Sequence, residues 1–380
     1  MIPLDVYLSS GAKRLRCGYT TGTCAAAAAQ AATELLLGKV LVPSVVVTTP
    51  AGIDVIVEVE ECEEGPGWAR CGVQKDGGDD PDVTDGVLVY VAVKKIPQGI
   101  TVDGGEGIGR VTKPGLDQPV GEAAINSVPR QMIRKALEAV CREMDYSGGL
   151  EAVITVPEGE TVAKRTFNPM LGIEGGISIL GTSGIVEPMS ERAVVETIAL
   201  EIRQNAAAGA GRLILTPGNY GMDFLGHELP ELGGVARVKC SNFIGEALDL
   251  CVLEGIREIL LVGHVGKLVK LAGGVMNTHS HMADCRRELF CAHAAICGAG
   301  QETCQDLMRQ ATTDGCLEVL EAAGLRKPVM ESLLDEIQRV LERRCADACR
   351  VGAVLFSNVH GLLGMTAEAK RMLADWRTRP

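Results

Sequence analysis

The apolar positions along this chain follow two rhythms. In the first part they alternate with polar ones. Residues 44–49 (SVVVTT) and 53–60 (IDVIVEVE) place an aliphatic side chain at every second position and are joined by Pro50-Ala51-Gly52, the pattern of a hairpin. Two more strand patterns, 69–74 and 87–94, flank a polar insertion and are expected to extend the same sheet. A helix is predicted from the threonines at 20–23 to about Leu37, ending near Gly38; its five consecutive alanines are strong helix formers that allow close packing. A second helix starts at Asn126-Ser127-Val128-Pro129, with a capping residue and a first-turn proline, and presents Met132, Ile133, Ala136, Leu137 and Val140 to the core.

After Ser147-Gly148-Gly149 the rhythm changes. Short apolar runs at 152–156, 177–180, 212–216, 236–240 and 258–262 alternate with helical patterns at 191–208, 243–254 and 267–271. Such alternation predicts a parallel sheet with helical crossovers. Residues 302–349 are helical in pattern, with breaks at Gly324 and Pro328, and 351–356 form a last strand before a terminal helix. The expected fold is therefore two-domain α/β. Residues 1–148 would form an α+β domain with a mixed or antiparallel sheet. Residues 149–380 would form a Rossmann-like parallel sheet with helices on both faces and a C-terminal helical extension.

Composition narrows the functional classes. The 380 residues carry a net charge of −12 and only 3% aromatics, which argues against nucleic acid and against an anionic membrane as partners. No stretch approaches the ~20 apolar residues of a membrane-spanning helix. The first fifteen residues hold Pro3, Asp5, Ser9 and Ser10 and no long apolar run, so no secretory leader is expected and the location reads as cytoplasmic. Fourteen cysteines, many inside apolar runs, then read as reduced, buried thiols. A homo-oligomer is compatible with this composition.

The polar insertion between strands holds Asp76, Asp79, Asp80, Asp82 and Asp85 within ten residues. So many carboxylates repel one another unless cations or backbone N–H groups answer them. A calcium loop does not fit, because Val87 stands twelfth from Asp76, where such a loop needs Glu. Before it lies a basic patch, Lys13, Arg14 and Arg16, and then Thr20, Thr21 and Thr23 at a helix start that could receive an anion. Gly105, Gly107 and Gly109 could let a ligand approach the backbone, although strand-then-helix spacing is missing. In the second domain, small and polar residues follow the predicted strands at 181–184, 216–221, 240–242 and 263–267, the edge where parallel sheets bind ligands. His279, His281, Cys285, Cys291, His293 and Cys297 fall within nineteen positions, but their spacing matches no zinc motif, and no metal site is expected.

Taken together, these stretches resemble the CbiD family. The matching segments are GYTTGTCAAAA, KDGGDDPDVTDG, GGEGIGRVTKPGL, VGEAAINSVPR, TPGNYG, SNFIGEALD, GHVGKLVKLAGG and NTHSHMADCRRE, in order from residue 18 to about 288. The resemblance implies transfer of a methyl group from S-adenosylmethionine to C1 of cobalt-precorrin-5B, giving cobalt-precorrin-6A in anaerobic cobalamin synthesis, with cobalt entering only as part of the substrate. On that reading the anionic macrocycle meets Arg16, Lys75, Arg110, Lys113, Arg130 and Lys267, helped by Thr20, Thr21, Thr23, Gly105 and Gly107. The methyl donor is held by Thr182, Asn219, Asn242, Gly263 and His264. Asp79, Asp80, Asp82 or His279 steer a proton or complement the sulfonium charge. The alternatives are a non-catalytic tetrapyrrole carrier and a phosphate-ester enzyme using the glycine loops.

Overall fold

A computed structural model describes residues 3–10 and 13–378. It divides into two compact units, Met1–Glu191 and Arg192–Pro380. The sheet of the first unit is built from β1 (Glu60–Gly65), β2 (Trp68–Gln74), β3 (Leu88–Ile96), β4 (Ile100–Gly104) and β5 (Gly149–Thr155), in the order β1-β2-β3-β5-β4. All neighbours are antiparallel except β5 and β4. Here the structure departs from the pattern-based boundary at residue 148. β5, expected to open the second domain, lies between β3 and β4 of the first sheet, because its buried positions Leu150, Ala152 and Ile154 complete this core. The hairpin Ser44–Thr48 with Asp54–Glu58 does not extend the sheet either; it pairs only with itself.

Two helices cover the sheet, α1 (Thr21–Gly38) and α2 (Ser127–Glu143). Ala25–Ala29, Ala31 and Ala32 are all buried, so α1 is wrapped on every side rather than presenting one apolar stripe. Small side chains are what permit that. Cys62 and Cys71 are disulfide-bonded across β1 and β2, at the irregularity in register between Glu60 and Glu63, where the sequence predicts free thiols. The other twelve cysteines are free.

The sheet of the second unit contains β6 (Arg212–Thr216), β7 (Ala236–Lys239), β8 (Glu258–His264), β9 (Arg350–Ser357) and β10 (Gly361–Met365), ordered β7-β6-β8-β9-β10. The first four are parallel and β10 is antiparallel to β9. The run predicted as a strand at 177–180 is absent from it; Ile177 and Ile179 make isolated bridges to Ile108 and Ile125 in the first unit. Both faces are dry. Leu213, Leu215, Ile259 and Leu261 pack in one apolar cluster, while Ile214, Leu260, Val262, Val354 and Phe356 pack in another. This is why these strands read as unbroken apolar runs.

The glycines at 105–109 serve the fold. Gly107 has φ +73°, and a Cβ there would stand 1.7 Å from the carbonyl oxygen of Val156. Gly159 and Gly176 each bring their Cα to within a Cβ-to-oxygen distance of 2.1 Å of the Gly107 carbonyl. Three chain segments therefore cross backbone to backbone. Replacing Gly107 by Ala is expected to destabilise the first unit by more than ~3 kcal/mol in urea unfolding, since neither the left-handed backbone nor the carbonyl can yield. At Gly121, with φ +93° and open space around it, the same change should cost only about 1 kcal/mol.

Candidate functional site

The acidic loop closes onto the strand before α1. Arg16 grips Asp76 with both terminal nitrogens, at 2.5 and 2.8 Å. The Arg16 backbone N–H donates to the Asp79 carboxylate at 2.6 Å, and the Asp79 N–H returns a bond to the Arg16 carbonyl at 2.9 Å. Gly18 and Gly78 face each other so closely that a Cβ on either would strike the other segment's backbone at about 2.4 Å. Asp80 accepts from the N–H of Met189 at 2.9 Å, and Asp85 from that of Gly77 at 2.7 Å. Asp82 accepts from Lys75 at 2.7 Å and from the N–H and hydroxyl of Thr84. Every aspartate in the loop is thus answered by its own chain, and among the described residues no group of three or more His, Cys, Asp or Glu side chains is placed to hold a metal ion.

These contacts reassign several predicted binding residues. Lys75 is only 2% exposed and is committed to Asp82. Arg130 spends its guanidinium on the carbonyls of Ile125, Val102 and Ala123. Thr20, Thr21 and Thr23 are buried; Thr20 caps α1, Thr21 bonds the 178–180 segment, and Thr23 donates to the Gly184 carbonyl at 2.7 Å. The start of α1 is therefore filled by the 178–184 loop and is closed to an anion. Gly105 and Gly107 are packing positions, with Thr155 and Val156 against them. Arg110 pairs with Asp103 yet stays 44% exposed, and Lys113 is exposed with no side-chain partner among the described residues. Those two remain available to an anionic ligand.

In the second unit the strand order reverses between β6 and β8. One crossover leaves β6 through α3 (Asn219–Glu228) to β7, and the other side of β6 is taken by β8. At such a point the loops at the carboxyl ends diverge and open a crevice. Three predicted loops meet here. Thr216 ends β6 fully buried, and its hydroxyl has no hydrogen-bond partner. Gly218 caps α3 in extended backbone with open space where a side chain would stand. Asn219 is exposed and accepts from Lys239 at 2.9 Å; Lys267 donates to the Pro217 carbonyl at 2.8 Å, with burial pushing its ammonium pKa down. Gly263 is a packing position against Leu268 and Pro217.

His264 ends β8 and caps the helical turn after it. Its Nδ1 accepts from the Gly266 N–H at 3.0 Å, so the hydrogen of the neutral ring sits on Nε2. Burial pushes the imidazole below its ordinary pKa, which keeps the ring neutral and makes it a donor at neutral pH. Exposed Tyr220 lies with its ring centroid 6.5 Å away. Asn242 belongs to the next loop, where its carbonyl accepts from the Thr278 N–H at 2.9 Å; this brings it beside the segment carrying His279. His279 accepts at Nδ1 from the His281 N–H at 3.2 Å. Thr182 lies in the first unit. Sequence reasoning missed Ser357 and Asp314. Ser357 ends β9, beside His264, and donates to the Asp314 carboxylate at 2.5 Å. Its position directly after the predicted strand 351–356 was the available signal.

The Lys75–Asp82 pair generates a stability prediction. Burial alone would raise the Asp82 pKa, but the charge and hydrogen bond of Lys75, with Thr84, hold it below the ordinary carboxylate value. Asp76 is held down likewise by Arg16 and the Gly78 N–H, against its burial. Because both folded pKa values lie below the unfolded one, the stability they supply is present above about pH 4 and is lost as pH falls further. Asp82→Asn, which strands the Lys75 ammonium, is expected to cost about 3 kcal/mol at pH 7 and to flatten the acid limb of the unfolding curve.

Comparison with known proteins follows the same division. The CbiD family profile matches residues 8–188, and that of the CbiD C-terminal domain matches residues 277–367. Cobalt-precorrin-5B C(1)-methyltransferase from Ruminiclostridium cellulolyticum is 47% identical over 94% of this chain and 93% of its own length. The proteins of that name from Alkaliphilus metalliredigens and a Thermoanaerobacter species are 41% and 42% identical, over 97% and 96% of this chain and 97% and 99% of their own lengths. A crystal structure of cobalamin biosynthesis protein cbiD from Archaeoglobus fulgidus aligns at 34% identity over 74% of this chain and 87% of that one, with a TM-score of 0.40. Matching profiles in both parts of the chain, and relatives alike along nearly its whole length, establish that it belongs to the CbiD family.

Proposed function

We propose that this protein methylates C1 of cobalt-precorrin-5B with S-adenosylmethionine, giving cobalt-precorrin-6A and S-adenosylhomocysteine in anaerobic cobalamin biosynthesis. The observation that carries this reading is the 47% identity, over 94% of the chain, to a relative bearing that activity in its name. The described residues include no helix long and apolar enough to cross a membrane, and a cytoplasmic setting suits the substrate.

The carboxyl edge of β6 and β8 is the assigned donor site. An orphaned, fully buried Thr216 hydroxyl, open space over Gly218 and the unpaired N–H groups at the start of α3 fit a ligand with a carboxylate and hydroxyls. When bound, the donor supplies a methyl group already activated on a sulfonium. The protein's task is then positioning and exclusion of water. Thr216 and the first N–H groups of α3 donate to the ligand's acceptors, His264 Nε2 donates a further bond, and Tyr220 forms a wall. No covalent nucleophile is required, and the nearby Cys240 suits none: burial pushes its thiol up to about 12. Arg110 and Lys113 are the side chains assigned to the carboxylates of the macrocycle.

Thr216→Val separates a binding role from a structural one. Removing an unpaired buried hydroxyl should stabilise the fold by up to ~1 kcal/mol, while calorimetry should show S-adenosylhomocysteine binding weakened about tenfold. Unchanged affinity would move the donor away from this edge. For the reaction itself, methyl-tritiated S-adenosylmethionine should label the cobalt-bearing substrate; retention of pigment without label would favour a carrier.

A further inference from the structure

Three segments of the first unit lie side by side around Val111. Arg110 and Val111 pair with Glu174 and Ile173 on one side. On the other, the Val111 N–H donates to the Glu122 carbonyl at 3.0 Å, and the Val111 carbonyl accepts from Gly121 at 2.8 Å. Ahead of Ile173 the chain makes one helical turn. Its Phe167 carbonyl accepts from the N–H groups of Met170 and Leu171, at 3.0 and 3.1 Å. Residues three apart on such a turn share a face, so Phe167 and Met170 are neighbours.

The turn is tied down from inside. Asn168 is buried; its Nδ2 donates to the Gly176 carbonyl at 3.0 Å, and its Oδ1 accepts from the Ser178 hydroxyl at 3.2 Å. With the polar residue turned inward, the apolar ones face solvent. Phe167 is 54% exposed and Met170 68%, and Val120, on the segment across Val111, is 57% exposed. The other four phenylalanines of the chain are buried. Exposed apolar side chains gathered on adjoining, hydrogen-bonded segments mark a binding surface.

Charge indicates what the surface binds. The Lys113 stem runs across Gly172, where a Cβ would stand 2.5 Å from its Cγ, so this lysine borders the turn. Lys164 and Arg165 lead into the same turn. All three are exposed and have no ion-pair partner among the described residues. Arg110 is paired with Asp103 and remains partly open to solvent. Of the nearby carboxylates, Asp117 is occupied by the Ser127 N–H and the Gln118 amide, which leaves Glu174 opposite Arg110. An apolar patch bordered by cations is complementary to a ligand with a broad hydrocarbon face and a rim of carboxylates. Two copies of this chain meeting through the same patch would instead oppose like charges.

We propose that Phe167, Met170 and Val120 form the platform on which the hydrocarbon face of the cobalt-bearing macrocycle rests, with Lys113, Lys164 and Arg165 meeting carboxylates on its rim. This assignment rests on the substrate reading given above and adds the residues that position that substrate. They are positioning residues: they hold the ring and take no part in the methyl displacement.

The test is an anaerobic titration of the full chain with cobalt-precorrin-5B, without methyl donor, followed by the visible band of the macrocycle at several salt concentrations. Phe167→Ser/Met170→Ser should raise Kd about tenfold and leave its salt dependence unchanged, because the lost contact is apolar. Lys113→Gln/Arg165→Gln should raise Kd and flatten the salt dependence. Met170→Glu alone, at a surface position, sets a carboxylate on the platform and should weaken binding at least as much as the serine pair. Unchanged Kd in the serine pair or in Met170→Glu would overturn the proposal, as would an unaltered salt dependence in the Lys113/Arg165 variant. A dimer of the wild type that the serine pair dissociates, with Kd unchanged, would assign the face to a second copy and overturn it as well. Methyl transfer measured alongside separates this proposal from the one it rests on. Transfer by the wild type, with KM for the macrocycle unchanged in the serine pair, would sink the platform and leave the activity standing. Pigment binding that depends on Phe167 and Met170, without any transfer, would support the platform and remove the activity.

Discussion

In the second unit, both faces of the parallel sheet are buried in hydrocarbon, and that constraint decides where its chemistry can be. Leu213, Leu215, Ile259 and Leu261 face one layer; Ile214, Leu260 and Val262 face the other. No polar side chain can leave the middle of these strands without being buried unpaired. Function is pushed to the two rims. At one rim the strand order reverses between β6 and β8, and Thr216, His264 and Ser357 stand at three strand ends. At the other, helix carbonyl ends and carboxylates gather where the parallel strands begin.

The first unit uses charge differently. Its acidic loop looks like a ligand site because five carboxylates are close in sequence, yet folding answers each of them internally. Arg16 and Lys75, the nearest cations, are consumed by Asp76 and Asp82. The glycine loop looks like a phosphate cradle, yet the space above Gly107 is filled by the Val156 carbonyl. Both features tie distant segments together at backbone contact distance. Of the cations expected to meet an anionic ligand, Lys113 has no side-chain partner among the described residues, and Arg110, paired with Asp103, stays 44% exposed.

Much of the second sheet was legible because buried parallel strands declare themselves as apolar runs: 212–216, 236–240, 258–262 and 351–356 all became strands, and the loops after them became the candidate site. The start of α1 was equally plain from the threonines at 20–23 and the alanines, but not which threonine caps it: the sequence pointed to Thr21 or Thr23, and the cap is Thr20. What could not be read was long-range. A run such as 152–156 satisfies either sheet, and only its pairing with β3 and β4 settles which. Nothing local distinguishes a glycine that admits a ligand from one that admits another backbone. Nor could spacing place Asp314 beside Ser357, 43 positions away. Lone-residue features were the least informative; residues following predicted strands were the most.

The central claim is that the methyl donor occupies the carboxyl edge of β6 and β8. A crystal structure of the protein with S-adenosylhomocysteine tests it most directly. The account predicts the ligand's carboxylate within hydrogen-bond distance of the Thr216 hydroxyl and the start of α3, with a polar group on His264 Nε2. Density for the ligand against the acidic loop or the 105–109 loop, with the β6 and β8 edge empty, would contradict it.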